Sequence, residues 1–395
     1  MKKAYKFRLY PTSKQEEVLF WTLTRCRELY NAALAERKEA YCMAGKSIGY
    51  YEQKRDLPEI KAEVREEYQD IHSQVLQDVL LRVKRAFDAF FRRVKNGEEP
   101  GYPRFQGRNR YNSFTYPQGG YSVDVHEKHA TITLSKIGTI KVKLHRKREG
   151  TIKTCTIKYE AGQWYAVLTC EVKQPEPLSV VESEIGIDLG ITHFAALSDG
   201  TFIESPRYYR KSQKKLEKLQ QAFAHKKRGS HRREKARKAV AKTHRQIANQ
   251  RRDFHHKQAK KLAQEHQTIV FEELEITTLS KRAKPKQDEN STYLPNGAAA
   301  KSGLNKSILD AGWGQFQHIV SHKAACAGRT VMFVNPHYTS QVCSQCGTVR
   351  KKDLSERWHS CECGCELDRD TNAAINILRV GRTQRRATCV EAPCL

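Results

Sequence analysis

Carboxylates are the scarce side chains. The 395 residues hold 44 Asp and Glu against 71 Lys and Arg, a formal net charge of +27. Such an imbalance points to a polyanionic partner, a nucleic acid before an anionic membrane. Long apolar runs are also missing. None approaches the ~20 residues a membrane-spanning helix needs, so a membrane role is not expected. The opening MKKAYKFRLYPTSK lacks the apolar stretch of a secretory signal, which places the chain in a reducing cytoplasm. Hydrophobic content is 38%, ordinary to low. The length still suffices for two or more domains and a sizeable core.

Cysteine is not scarce, and its distribution is uneven. Cys26, Cys42, Cys155, Cys170 and Cys326 are scattered, and Cys389 and Cys394 lie in a polar tail, whereas Cys343, Cys346, Cys361, Cys363 and Cys365 crowd one segment. In a cytosolic chain such a cluster reads as metal before disulfide. CSQCG (343–347) is a CxxC knuckle followed by glycine. Its partner half is the irregular CECGC (361–365). Cys363-Gly364 mirrors Cys346-Gly347, so Cys363 is a ligand. Cys361 is the other in a shortened CxC, with Cys365 as a substitute. Four thiolates around one Zn²⁺ leave no open position, so the site is structural.

The hydrophobic periodicity changes along the chain. KAYKFRLY alternates as a strand, and Lys14 to about Ala44 repeats as a helix. A second helical run covers roughly 70–95 and ends in GEEPGYPRF. Residues 130–144 and 151–172 alternate as strands, with a hairpin turn at Ala161-Gly162. KQPEPLS (173–179) reads as a linker. Two strands follow in 184–205, then a basic helical stretch over 207–265, and the strand QTIVFEELEI (267–276). Residues 277–303 read as a loop, 307–328 as one helix, and 329–336 as a strand. NAAINILRV begins a final helix after the cysteines, and there is no internal repeat.

Three of the few acids stand in telling places. Asp188 lies inside the apolar run IGIDLGI, Glu272 follows TIVF directly, and Asp370 opens the last helix. Each alone has a plain structural reading: Asp370 as a helix cap, Glu272 as a strand-end residue. Asp188 is costly in a buried strand unless something pairs with it. Together they suit a site for two Mg²⁺ ions, hard cations that prefer oxygen ligands. Glu272 is favoured over Glu273 because it adjoins the apolar strand. Of Asp368 and Asp370, two apart at a helix start, only one faces the metals.

The segment 211–263 is overwhelmingly basic, with Glu217, Glu234 and Asp253 as its acids. A solvated face interleaves opposite charges. This one does not, so it reads as a phosphate-binding helical hairpin broken at Gly229-Ser230. Lys226, Lys227, Arg228, Arg232 and Arg233 are its candidate contacts.

The motifs KFRLYPTSKQ, PRFQGRNRYNSFTYPQ, IGIDLG, NQRRDFHHK, IVFEELEI, LDAGWGQFQ, TSQVCSQCG and LDRDTNAAINIL occur in that order. They resemble the TnpB (OrfB) family of RNA-guided DNA endonucleases from insertion sequences, related to type V CRISPR effectors. The resemblance covers nearly the whole chain and departs at CECGC. It implies an α/β multidomain protein with a RuvC-like nuclease of RNase H fold, in which DTNAA selects Asp370 of the acidic pair. A β-barrel wedge domain is expected over 1–10 and 102–180, with a helical recognition domain at 11–101. The nuclease is expected at 181–338 and 367–381, a zinc-bearing target-binding insert at 339–366, and a disordered tail at 382–395. The implied partners are a guide RNA and double-stranded target DNA, bound by a monomer. The implied reaction is two-Mg²⁺ hydrolysis beside a short target-adjacent motif, with guide pairing supplying specificity. Ser73, Gln74 and Gln77 are the candidate motif readers, since Gln bonds bidentately to adenine. Two rival classes remain: a guide-binding repressor without nuclease activity, which would lack some of the acids, and an unguided zinc-ribbon DNA-binding transposase.

Overall fold

The computed structural model describes residues 1–395 apart from 109, 126–129, 354–355 and 391–395, and side chains through 386. It separates into two compact units, 1–173 and 174–395.

The first unit opens with strand β1 (Lys2–Tyr10), followed by helices α1 (Ser13–Ala44), α2 (Tyr50–Glu59) and α3 (Ser73–Lys95). Thr12 stops β1 and starts α1. Its hydroxyl accepts from the Gln15 N–H, and the Gln15 side chain accepts from the Thr12 N–H, a reciprocal cap. Six strands complete the unit: β2 (Ser113–Tyr116), β3 (Tyr121–Val125), β4 (Ala130–Leu134), β5 (Gly138–Lys143), β6 (Thr151–Glu160) and β7 (Gln163–Glu171). With β1 they form one seven-stranded sheet in the order β2-β6-β7-β1-β5-β4-β3.

The expected barrel is not what the strands build. Among the described residues no pairing joins the end strands β2 and β3. These ends are only four and five residues long. Their apolar face is covered from outside instead. Leu19 and Leu34 of α1 and Leu76 and Val79 of α3 share a continuous core with Phe7, Phe114, Ile140 and Ile157 of the strands.

The second unit contains β8 (Glu184–Asp188), β9 (His193–Leu197), β10 (Phe202–Glu204), α4 (Tyr208–Ala224), α5 (His231–Glu265), β11 (Thr268–Glu272), α6 (Ile276–Leu279) and the short pair β12 (Lys286–Gln287) and β13 (Tyr293–Leu294). Next come α7 (Ala298–Ala311), α8 (Trp313–Ala327), β14 (Thr330–Val334), β15 (Trp358–Ser360), β16 (Glu366–Asp368) and α9 (Arg369–Val390). The central sheet has five strands in the order β10-β9-β8-β11-β14. β8, β9 and β10 pair antiparallel, whereas β11 runs parallel to both β8 and β14. Two readings of the sequence change here. The single helix expected at 307–328 is two helices, because Gly312 adopts φ +68° and turns the chain between α7 and α8. The last helix continues past 381 to Val390, so the residues expected to begin a disordered tail are helical. Cys394 lies outside the described residues.

Strand alternation sorts this sheet into two faces. Ile185, Ile187, Ile269 and Phe271 pack with Leu262 of α5 and Phe316 and Val320 of α8. Val270 packs on the opposite face with Ile377 and Leu378 of α9. Gly186 lies on the α9 face too, where a built Cβ would stand 2.2 Å from the Ala374 carbonyl oxygen and 2.8 Å from the Leu378 Cβ. Glycine here sets how closely α9 approaches the sheet. Gly186→Ala should therefore destabilise the chain by about 1–3 kcal/mol, the usual cost of overpacking. Gly303→Ala, whose Cβ meets nothing within 4 Å, is the matched control. Urea unfolding of both variants measures the difference, and equal midpoints would refute the close-approach argument.

Candidate active site and metal cluster

The same alternation places the acids. Asp188 is two residues beyond Gly186, and Glu272 is two beyond Val270, so both belong to the face that α9 covers. Ile187 pairs with Phe271 in the parallel ladder, and the two acids come next on their strands. Asp370 lies in the first turn of α9, with its Oδ2 3.9 Å from a Cβ built on Gly190. Three elements thus bring Asp188, Glu272 and Asp370 to one end of one sheet face. Glu273 is exposed, whereas Glu272 is half-buried.

The paired acids at 368 and 370 divide the work. The Asp368 carboxylate accepts from the backbone N–H groups of Asp370 and Thr371 at 2.9 and 3.3 Å. Asp368 is therefore the helix cap. Asp370 is left with the Arg357 guanidinium, 3.9 Å away.

The electrostatics mark the three as a strained set. Burial pushes the Asp188 carboxyl well above its ordinary range, and the charges of Glu272 and then Asp370 push it further. Burial also raises Glu272, partly offset by the Thr339 hydroxyl that donates to it. Asp370 is raised by burial and by Asp368, against the pull of Arg357 and Arg369. Such a group of uncompensated acids fits divalent cations, which supply the missing charge. The ligand atoms that lie within 4.8 Å of one another in sets of three or more, among the described residues, belong to the cysteine segment. The carboxylates therefore surround a wider space than one ligand sphere.

The cysteines converge tightly. Cys343, Cys346, Cys361 and Cys363 form one set, with Cys343–Cys363 and Cys346–Cys361 sulfur separations of 3.7 and 3.6 Å. A tetrahedron with Zn–S of about 2.3 Å has edges of ~3.8 Å, so the spacing fits a structural zinc. The Thr348 hydroxyl and N–H lower the Cys346 thiol to about 6, which favours the thiolate that binds metal. Cys365 is buried on the other side, in a separate set with Cys343 and His359.

Residues not singled out in the sequence complete the site. Asn372 is fully buried; it accepts from the Ser344 N–H at 2.9 Å and donates to the Val342 carbonyl at 2.8 Å. Asn376 donates to the Thr339 and Val342 carbonyls at 2.9 and 2.7 Å. These amides, one helical turn apart in NAAIN, fasten the knuckle to α9. Gln317 of α8 donates to the Glu272 carbonyl at 3.1 Å.

The proposed nucleic-acid contacts fare differently. Lys226, Lys227, Arg228 and Arg232 are exposed around the α4–α5 turn. Arg233 instead turns inward, donating to the carbonyls of Phe223 and Lys226 at 3.1 and 2.6 Å. In the first unit, Ser73 and Gln77 line a cleft with Lys54, Lys61 and Gln69. The Gln74 side-chain Oε1 accepts from the Gly119 N–H at 3.0 Å, so that side chain is held by the fold.

Fold and site together describe an α/β scaffold with a cysteine cluster spaced for zinc, and comparison with known proteins places it in a family. Residues 167–283 match a family described as a probable transposase, OrfB of IS605. Residues 313–377 match the Cas12f1-like TNB domain. Residues 1–46 match a helix-turn-helix domain, although the structure has there one strand and one uninterrupted helix of 32 residues. An Escherichia coli K12 protein provisionally named RNA-guided DNA endonuclease InsQ is 34% identical, over 96% of this chain and 92% of its own. A Streptomyces pristinaespiralis protein with the same provisional activity is 31% identical over 96% and 90%. The fold is similar to that of Cas12f1 in its sgRNA–target DNA complex: TM-score 0.58, 13% identity, 95% of this chain and 98% of that one. It is similar to the mini-RNA-guided endonuclease Cas_phi3, with TM-score 0.55, 11% identity and 96% and 92% coverage. The chain belongs to the OrfB (TnpB) family of IS605-type elements.

Two outcomes follow from this geometry. Because the folded state raises the Asp188 carboxyl, the fold holds that proton more tightly than the unfolded chain does. This group's contribution to stability is then fully present below the ordinary carboxylate value, ~3.9, and is lost as pH rises through the window up to the folded value. In magnesium-free buffer with zinc retained, Asp188→Asn should be more stable than wild type at neutral pH, with the gap closing in acid. A lower melting temperature for the variant at neutral pH would contradict this. For the thiols, Cys343→Ser with Cys346→Ser should release the zinc, about one per chain. Cys361→Ser and Cys363→Ser should lose it and Cys365→Ser keep it, by metal analysis of the purified variants.

Proposed function

We propose that this chain is an RNA-guided DNA endonuclease that cuts double-stranded DNA beside a short target-adjacent motif. The observation that carries the reading is the meeting of Asp188, Glu272 and Asp370 on the α9 face of the second unit's sheet, where burial raises all three carboxyls and the charges of Glu272 and Asp370 raise Asp188 further. The strand order, in chain order 3-2-1-4-5 with the last two parallel to the first, supports an RNase H fold of RuvC type. The relatives' provisional activity and the Cas12f1 complex support guide RNA and target DNA as partners. No described helix is long and apolar enough to cross a membrane.

In this reading Asp188, Glu272 and Asp370 hold two Mg²⁺ ions. When bound, these supply an activated water and charge stabilisation for the leaving oxygen. The chain's own work is positional. β8 and β11 fix two carboxylates in parallel register, and the Asp368 cap fixes the start of α9. The Thr339 hydroxyl orients Glu272. Cys343, Cys346, Cys361 and Cys363 hold the zinc, with no vacant position for chemistry. Lys226, Lys227, Arg228 and Arg232 grip phosphates by charge, and Ser73 and Gln77 at the cleft of α3 read the motif. The sheet of the first unit takes the place of the wedge, and the particle contains one copy of the chain.

Sequencing the RNA that co-purifies with the chain, and reconstitution with that RNA, test this. Asp188→Ala, Glu272→Ala and Asp370→Ala should each abolish cutting of a matched plasmid while guide RNA stays bound. Asp368→Ala should keep cutting and lose only a cap's stability, ~1 kcal/mol. If wild type binds guide and target and never cuts, the chain is a guided repressor. If no RNA species co-purifies, the unguided transposase reading stands in its place.

A further inference from the structure

The first unit carries an aromatic surface that the reading above does not use. At the end of α3 and in the loop beyond it, Phe87, Phe90, Phe91 and Tyr102 pack ring on ring. Phe87 and Phe91 stack at 6.3 Å. Phe90 meets Phe91 edge-on at 5.2 Å. Tyr102 meets Phe87 and Phe90 edge-on at 5.7 and 5.4 Å. Phe87 also reaches the core of the unit, so the cluster is anchored from below. Its outer rings are not covered: Phe91 is 61% exposed and Tyr102 45%; three residues further along the loop a separate ring, Phe105, is 52% exposed. An isolated exposed apolar residue needs no explanation, but a contiguous ring cluster does.

The charge around it says what covers it. Arg92, Arg93, Lys95, Arg104, Arg108 and Arg110 flank the rings and are all exposed. None of them has a carboxylate within 4.0 Å among the described residues. Of the nearby acids, Asp88 is paired with Lys84 at 2.6 Å, Glu98 accepts from the Asn96 side chain at 3.1 Å, and Glu99 is exposed in the same loop, so the cations outnumber the acids six to three. A protein partner would bury rings among neutral contacts and leave these cations unmatched. A duplex would match the cations but has its base faces stacked internally and offers nothing to the rings. An unpaired strand matches both: phosphates for the cations, π-faces for the rings.

We propose that Phe91, Tyr102 and Phe105 form a stacking platform for unpaired nucleobases of an RNA or DNA strand, whose phosphates lie on the surrounding arginines. The inference deepens the reading of this chain as a nucleic-acid enzyme. Its test uses neither guide nor cleavage, so failure of either leaves the other standing.

The full chain, purified free of nucleic acid, is titrated with a labelled unstructured single strand, as RNA and as DNA, and with a duplex of the same sequence, across a salt series. Phe91→Ala with Phe105→Ala should weaken single-strand binding about tenfold or more. The slope of log affinity against log salt should not change, because stacking releases no counterions. Duplex binding should also be unchanged. Phe91→Trp should restore affinity, and its added fluorescence should be quenched by the single strand and not by the duplex. A stronger effect with RNA than with DNA, or the reverse, identifies the strand the platform serves. Wild-type affinity in the alanine variant, equal loss for the duplex, or an unquenched tryptophan at 91 would overturn the proposal. So would loss of concentration-dependent self-association in the alanine variant without loss of single-strand binding, which would make the patch a contact between copies.

Discussion

The contact between Gly186 and the backbone of α9 controls the geometry of the second unit. Any side chain at 186 would strike the Ala374 carbonyl. With none, α9 lies against β8 and β11, and its first turn reaches the ends of both strands. Asp370 can then meet Asp188 and Glu272, which strand alternation has already turned to that face. One missing Cβ therefore decides the separation between a helix-borne acid and two strand-borne acids. Gly381 repeats the device further along α9, where a built Cβ would stand 2.7 Å from Val270. The helix is thus close-packed to the sheet at both ends of the contact.

The zinc knuckle belongs to the same arrangement. Asn372 and Asn376 leave α9 on the side away from the sheet contacts of Ile377 and bind the knuckle's backbone at Val342, Ser344 and Thr339. Thr339 in turn donates to Glu272. Buried amides that lose their partners cost more than the bonds themselves contribute, so knuckle, α9 and the end of β11 hold their places together. A metal outside the acidic site then acts on it through position. Unfolding the knuckle would release the Thr339 hydroxyl from Glu272 and strand two buried asparagines.

Much of this was legible in the sequence, and the exceptions have physical causes. IGIDLGI and TIVFE announced themselves because acids interrupt apolar strands, and the basic hairpin because its charges are one-sided. The cysteine half-sites were legible from their glycines. Asp368 and Asp370 were separable only by resemblance, because two acids at a helix start look alike until the cap's hydrogen bonds are seen. Arg233 read as one more cation, yet tertiary placement turned it onto the end of α4. The single helix read over 307–328 ignored the positive φ that Gly312 supplies. The barrel was expected from the resemblance; the alternation of the strands themselves fixes faces, not closure. Here α1 and α3 cover the apolar face that closure would have buried. Asn372 and Asn376 carried a weak signal: two amides one turn apart in an otherwise apolar helix start.

The chain's lopsided charge explains why its few acids are so tightly fixed. Lys and Arg exceed Asp and Glu by 27, so cations are available to pair with carboxylates on this surface. Glu184, for example, binds both Arg382 and Arg385. Asp188 has no such ion pair within 4.0 Å among the described residues, and its neighbours Glu272 and Asp370 share its sign. Keeping acids unpaired in so basic a chain requires walls that exclude the abundant cations. The close α9–sheet packing, the hydrophobic faces of β8 and β11 and the knuckle provide those walls. The resulting negative pocket is selective by construction. The Arg357 guanidinium reaches Asp370 at 3.9 Å but pairs with neither Asp188 nor Glu272 within 4.0 Å, which leaves those oxygens to small divalent ions. The rest of the surface remains free to hold a polyanion whose phosphates the pocket itself would repel.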